Sequence, residues 1–109
     1  MSSRYILEQA LQSERGIIIT LDTPREAHSL RNRLFRYRSF ERRQNLKRYP
    51  SDHPMSGASA YDSLVFEIIR PDGSVHNPAR GKLPPDAIRL RITHTGSDFA
   101  ASGLRIEKL

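Results

Sequence analysis

The sequence predicts an α+β fold: a mostly antiparallel sheet of three to five strands, one long basic helix packed across it, and a short N-terminal helix. Three observations carry that expectation. Runs at 16–22, 64–70 and 88–95 are β-branched or alternate apolar and polar residues, and are too short for helices. Between the first two lies a long stretch whose apolar residues recur at steps of three and four. The junctions carry Gly, Pro and Asp, the residues of turns and helix ends.

The segment from Ser3 to Ser13 reads as a short amphipathic helix, with Ser2 or Ser3 able to cap it and Gly16 just beyond its end. In Gly16-Ile-Ile-Ile-Thr-Leu-Asp22, residues Ile17, Ile19 and Leu21 share one face of a strand. Thr23-Pro24-Arg25-Glu26 is the strongest local signal. Threonine accepts from an orphan backbone N–H, glutamate three residues on returns a hydrogen bond, and proline occupies the first helical position, where an N–H is not needed. The helix this opens has the stripe Ala27, Leu30, Leu34 and Tyr37 and is expected to run to about Leu46 or Lys47, before Pro50 turns Tyr49 out of helical space. Its last stretch, Arg42–Arg48, holds one aliphatic residue and is expected to overhang the core.

Residues 51–63 are turn formers with little to bury and read as a mobile loop. Leu64–Arg70 alternates, with Leu64, Phe66 and Ile68 inward, and Pro71-Asp72-Gly73 makes a turn. Residues 75–87, with three prolines and a glycine, support an edge strand followed by loop. Ile88, Leu90, Ile92 and His94 share a face of the next strand, where His94 reads as a hydrogen-bonded histidine at the core edge. Leu104–Leu109 is expected to add a last short strand. With 109 residues and no repeat, the chain reads as one compact domain, 1–109.

Composition removes several function classes. The absence of cysteine excludes disulfide frameworks, thiolate zinc sites, iron–sulfur clusters and thiol catalysis. No apolar run exceeds three residues, as in Ile17-Ile18-Ile19, against the ~20 a membrane span needs. With no secretory signal pattern, the expectation is a cytoplasmic protein without a membrane partner. His28, His53, His76 and His94 show no metal-ligand spacing, so no metal and no cofactor are expected. Ser56-Gly57 lacks the glycine of a nucleophile elbow, and Gly81-Lys82 lacks the frame of a phosphate-binding loop. A metal-dependent nuclease needs clustered carboxylates. Asp22 and Glu67 are the nearest candidates, but Asp22 reads as a turn residue and Glu67 shares a strand face with Val65 and Ile69. No catalytic residue is assigned.

The positive signal is charge. The chain carries a net +6, and all of the excess lies in residues 1–50. Residues 25–48 alone hold nine basic side chains against two acids, Glu26 and Glu41. At ~100° per residue, Arg25, Arg36, Arg43 and Lys47 form a column opposite the apolar stripe. Arg31, Arg38 and Arg42 lie along one shoulder, and Arg33 along the other. A helix face left to solvent normally mixes signs to gain i,i+4 pairs, whereas this one crowds like charges. Phe35, Tyr37 and Phe40 are interleaved with the arginines; Tyr37 and Phe40 read first as core-edge residues and second as stacking platforms for bases. Arg89 and Arg91 on one strand face, and Arg80-Gly81-Lys82, lean the same way more weakly.

The expectation is a small non-enzymatic nucleic-acid-binding accessory protein, largely sequence-independent, acting through the helix 24–47. Its candidate binding residues are Arg25, Arg33, Arg36, Arg38, Arg42, Arg43, Lys47 and Arg48, with DNA ahead of RNA as partner and the 51–63 loop ordering on binding. The alternative is an adaptor or inhibitor that docks the same helix on an acidic protein surface. In composition alone the chain is similar to small accessory proteins of phages and mobile elements. Strand order, oligomeric state and biological process are not legible at this level.

Overall fold

The computed structural model describes residues 2–76 and 83–95, which form α1 (Ser3–Gln12), β1 (Ile17–Thr20), α2 (Pro24–Arg48), β2 (Leu64–Ile69), β3 (Val75–His76) and β4 (Arg89–His94). The expected strand at Leu104–Leu109 and the Arg80-Gly81-Lys82 loop lie outside these residues.

Local chemistry sets the helix ends. Ser2 Oγ accepts from the Tyr5 N–H at 3.1 Å and opens α1. At its other end His94 Nε2 lies 3.0 Å from both Ala10 O and Ser13 O. Both partners are carbonyls, so Nε2 carries the proton and donates to the Ala10 carbonyl of the last helical turn and to that of the cap residue Ser13, which also accepts from the Gly16 N–H. Thr23 Oγ1 accepts from the Glu26 N–H at 3.1 Å, while the Glu26 carboxylate accepts from the Asp22 N–H at 3.4 Å, one residue before the cap. Gly16 joins α1 to β1 at φ +84°, where an added Cβ would stand 2.0 Å from Ile92 O. No other residue fits that crossing.

The sheet is antiparallel with order β1-β4-β2-β3. Register puts Ile17, Ile92 and Phe66 in one cross-strand row and Ile19, Leu90, Ile68 and His76 in the next, all on the face that receives the helices. Leu64, Phe66, Ile68, Leu90 and Ile92 pack there against Ile6, Leu7 and Ala10 of α1 and Leu30 and Leu34 of α2. On the other face Arg91 pairs with Glu67, directly opposite in register, at 2.9 Å. That pairing neutralises the acid considered above for metal chemistry.

Among the described residues β3 pairs with Ile68 and Ile69 of β2. The Thr95 N–H donates to Ser63 O at 2.7 Å, so alternation turns the carbonyls of Leu64 and Phe66 away from β4. Side chains of α2 meet both of these carbonyls.

Two expectations are corrected by the segment after α2. Residues 51–63 do bury something: Tyr61 is 3% exposed and Ser59 6%. A lone tyrosine among turn formers leaves no periodic trace, which is why the sequence hides it. The segment is a succession of hydrogen-bonded turns that returns along α2, with Tyr61 tilted against Tyr37 at 6.2 Å. Its return also covers one side of the helix end expected to overhang: Asn45 is buried and donates to Ala58 O.

Two substitutions test this arrangement by urea unfolding. Thr23→Ala should cost ~1 kcal/mol through loss of the cap. Leu34→Ala should cost ~2–5 kcal/mol, since Leu34 is completely buried between the helices and the sheet. An unchanged unfolding midpoint for Leu34→Ala would mean that another face of α2 meets the sheet.

Candidate nucleic-acid interface

The basic side chains of α2 fall into two sets. The first faces the protein. Arg31 Nε donates to Phe66 O at 3.1 Å, and Arg38 donates to Leu64 O at 2.8 Å and Tyr61 O at 3.2 Å. Those of Phe66 and Leu64 are the carbonyls that alternation turns away from β4. Phe35 packs edge-on to Phe66 with centroids 5.0 Å apart, and the Arg38 guanidinium lies 4.7 Å from the Phe66 ring centre. Burial lowers the affinity of both guanidiniums for their protons; Arg42 adds to this at Arg38, with Asp62 opposing, and Glu67 opposes it at Arg31. Arg42 closes the set, pairing with Asp62 at 2.7 Å.

The second set faces outward. Arg25, Arg36, Arg43, Lys47 and Arg48 are exposed, and among the described residues none has a carboxylate partner. Arg33 is also exposed, beside a groove lined by Ile19, Leu21 and Glu26, and has a partner within the protein. The two acids of the helix do nothing to offset the column. Glu26 is spent on the N-terminal box, and Glu41 turns inward to accept from Ser59 Oγ and, at 2.8 Å, from the Ala60 N–H.

Of the eight residues expected to bind, the structure keeps Arg25, Arg36, Arg43 and Lys47 together on one exposed face, leaves Arg48 exposed at the helix end on the side of Tyr37, and gives Arg33, Arg38 and Arg42 partners. The sequence carried a signal for this split. Arg31 and Arg38 are seven apart and lie on the shoulder beside Phe35, whereas Arg36 and Arg43, also seven apart, lie opposite Leu34. What was not legible was that the shoulder meets backbone carbonyls of β2.

A polar cleft that the sequence reading did not find opens beside the column, between α1, the C-terminal half of α2 and the returning segment. Its volume is about 430 Å³. Tyr37, Phe40, Gln44 and Arg48 line its helical side at steps of three, four and four, with Arg4 and Tyr49 also lining it. Phe40 is 49% exposed. The Tyr61 hydroxyl donates to Glu8, and burial together with that bond pushes the phenol well above its ordinary range, so it remains a donor at any working pH. Among the described residues no group of three or more His, Asp or Glu side chains is placed to hold a metal ion.

No family model matches the chain, and neither a curated protein nor a solved structure matches it.

The division of the arginines is testable by stability alone. Arg38→Leu removes the donor to Leu64 O and should cost ~1–3 kcal/mol. Arg43→Gln should change stability by less than ~0.5 kcal/mol, as exposed substitutions usually do. Equal thermal shifts for the two variants would show that the helix is rotated from the position described.

Proposed function

We propose that this chain is a non-enzymatic nucleic-acid-binding protein that engages the phosphate backbone through the outer face of α2. One observation carries the reading: Arg25, Arg36, Arg43 and Lys47 are exposed on one face of the helix, with Arg48 exposed at its end, and among the described residues none has an acid partner, while Arg31, Arg38, Arg42 and both glutamates bond within the protein. Like charges held this close raise the energy of the unbound state, and a polyanion relieves it. Guanidinium groups suit phosphate oxygens, and contacts confined to phosphates position a protein without reading sequence. Binding is therefore largely sequence-independent, with DNA as the first partner to test. No described helix is long and apolar enough to cross a membrane, and the cytoplasm is the compartment this reading favours.

Neutralising four to five phosphates gives a slope of log K against log salt near −4 on duplex and near −3 on a single strand. On duplex, affinity should fall on the order of 10²-fold between 50 and 200 mM salt. Changing Arg36, Arg43 and Lys47 together to Gln should leave the thermal midpoint within about a degree or raise it. The same change should remove two to three units of that slope with most of the affinity. Binding that is flat across the salt range defeats the phosphate reading. Absence of nucleic-acid binding, with capture of an acidic protein that the triple variant loses, would favour the adaptor alternative.

A further inference from the structure

The polar cleft beside the column has a composition that a duplex-binding surface does not need. It combines an aromatic ring half open to solvent, Phe40, with an amide, Gln44, and two arginines, Arg4 and Arg48. Neither arginine has an ion-pair partner among the described residues, and Gln44 makes no side-chain hydrogen bond there. A volume near 430 Å³ is in the range of small-molecule sites, ~300–1,000 Å³, and exceeds what one base occupies.

We infer that this cleft receives an unpaired base, so that the partner of α2 is a single strand, with Phe40 as the stacking platform. The inference rests on the reading of α2 as a nucleic-acid interface. Helical geometry supplies the continuity it requires. On α2, Phe40 stands ~40° around the axis from Arg36 and ~60° from Arg43, so a strand whose phosphates follow the column passes beside the ring. A base in a duplex presents only its edge, whereas an unstacked base offers a face to the ring.

The charges of the cleft orient the nucleotide. Glu8 and Glu41 also line it, each already accepting a hydrogen bond from the protein, Glu8 from Tyr61 and Glu41 from Ser59 and Ala60. Carboxylates repel a phosphate and accept from the amino groups of bases. They therefore turn the base inward and leave the phosphate to Arg4, Arg48 and the column. Gln44 adds a donor and an acceptor that serve any base, consistent with weak sequence preference.

The test uses the full chain and fluorescence anisotropy. The probes are a labelled mixed-sequence DNA strand of about 15 nucleotides, its RNA counterpart and the matching DNA duplex, at one ionic strength. The expected result is at least tenfold tighter binding of a single strand than of duplex, the DNA-to-RNA ratio telling which backbone is preferred. Phe40→Leu should weaken single-strand binding roughly five- to hundredfold, leave duplex binding and the salt slope unchanged, and keep the thermal midpoint. Phe40→Tyr should restore the loss. Equal binding of strand and duplex by the parent protein, or a Phe40→Leu variant that binds the strand normally, overturns the cleft while leaving the basic column intact. A parent protein that binds none of the three probes overturns the column, and the cleft with it.

Discussion

The structure turns on how α2 meets β2. The carbonyls of Leu64 and Phe66 face away from β4 and take donors from the helix. Arg38 and Arg31 take those two acceptors, and Phe35 slots against Phe66 between them in sequence. This is more specific than apolar packing. A greasy stripe tolerates rotation of a helix by tens of degrees, but guanidinium donors at 2.8 and 3.1 Å do not. With Leu34 in the core and Arg31 and Arg38 at the β2 carbonyls, the rotation of α2 is set, and Arg36, Arg43 and Lys47 have only solvent to face.

The second half of the helix is held by a different device. Glu41, Arg42 and Asn45 grip the returning segment through Ser59, Ala60, Asp62 and Ala58. Tyr61 reaches across to Glu8 of α1 and joins the turns to the N-terminal helix. These contacts stabilise 58–62, and they also turn Glu41 inward and commit Asp62 to Arg42. The electropositive column is thus partly a product of internal satisfaction: the acids that would have diluted it have structural partners. The cleft arises the same way, as the space left where α1, α2 and the returning turns meet around groups that are already hydrogen-bonded.

The proposed function rests on this asymmetry and not on the net charge. A protein with +6 spread evenly would attract polyanions weakly and without orientation. One face of a 25-residue helix, about 37 Å long, instead offers cations along a line that a phosphate backbone can follow. The adjacent aromatic gives that line a side. Backbone attraction and base stacking are separable terms, the first sensitive to salt and the second not.

The sequence by itself determined the elements and their inward faces. Thr23-Pro24-Arg25-Glu26 opened α2 where expected, and the alternation in 64–69 and 89–94 placed Phe66, Ile68, Leu90 and Ile92 inward, because capping chemistry and side-chain periodicity are local. It also located the excess charge in one helix. Tertiary structure decided what the arginines meet: helical spacing puts Arg38 on a shoulder and Arg43 opposite Leu34, but that Arg38 donates to Leu64 O and Tyr61 O is set by where β2 and the returning segment lie. It likewise decided that Tyr61 is buried and that Phe40 stands beside a cleft. Both depend on chain segments more than ten residues apart in sequence meeting in space, and no local period records such a meeting.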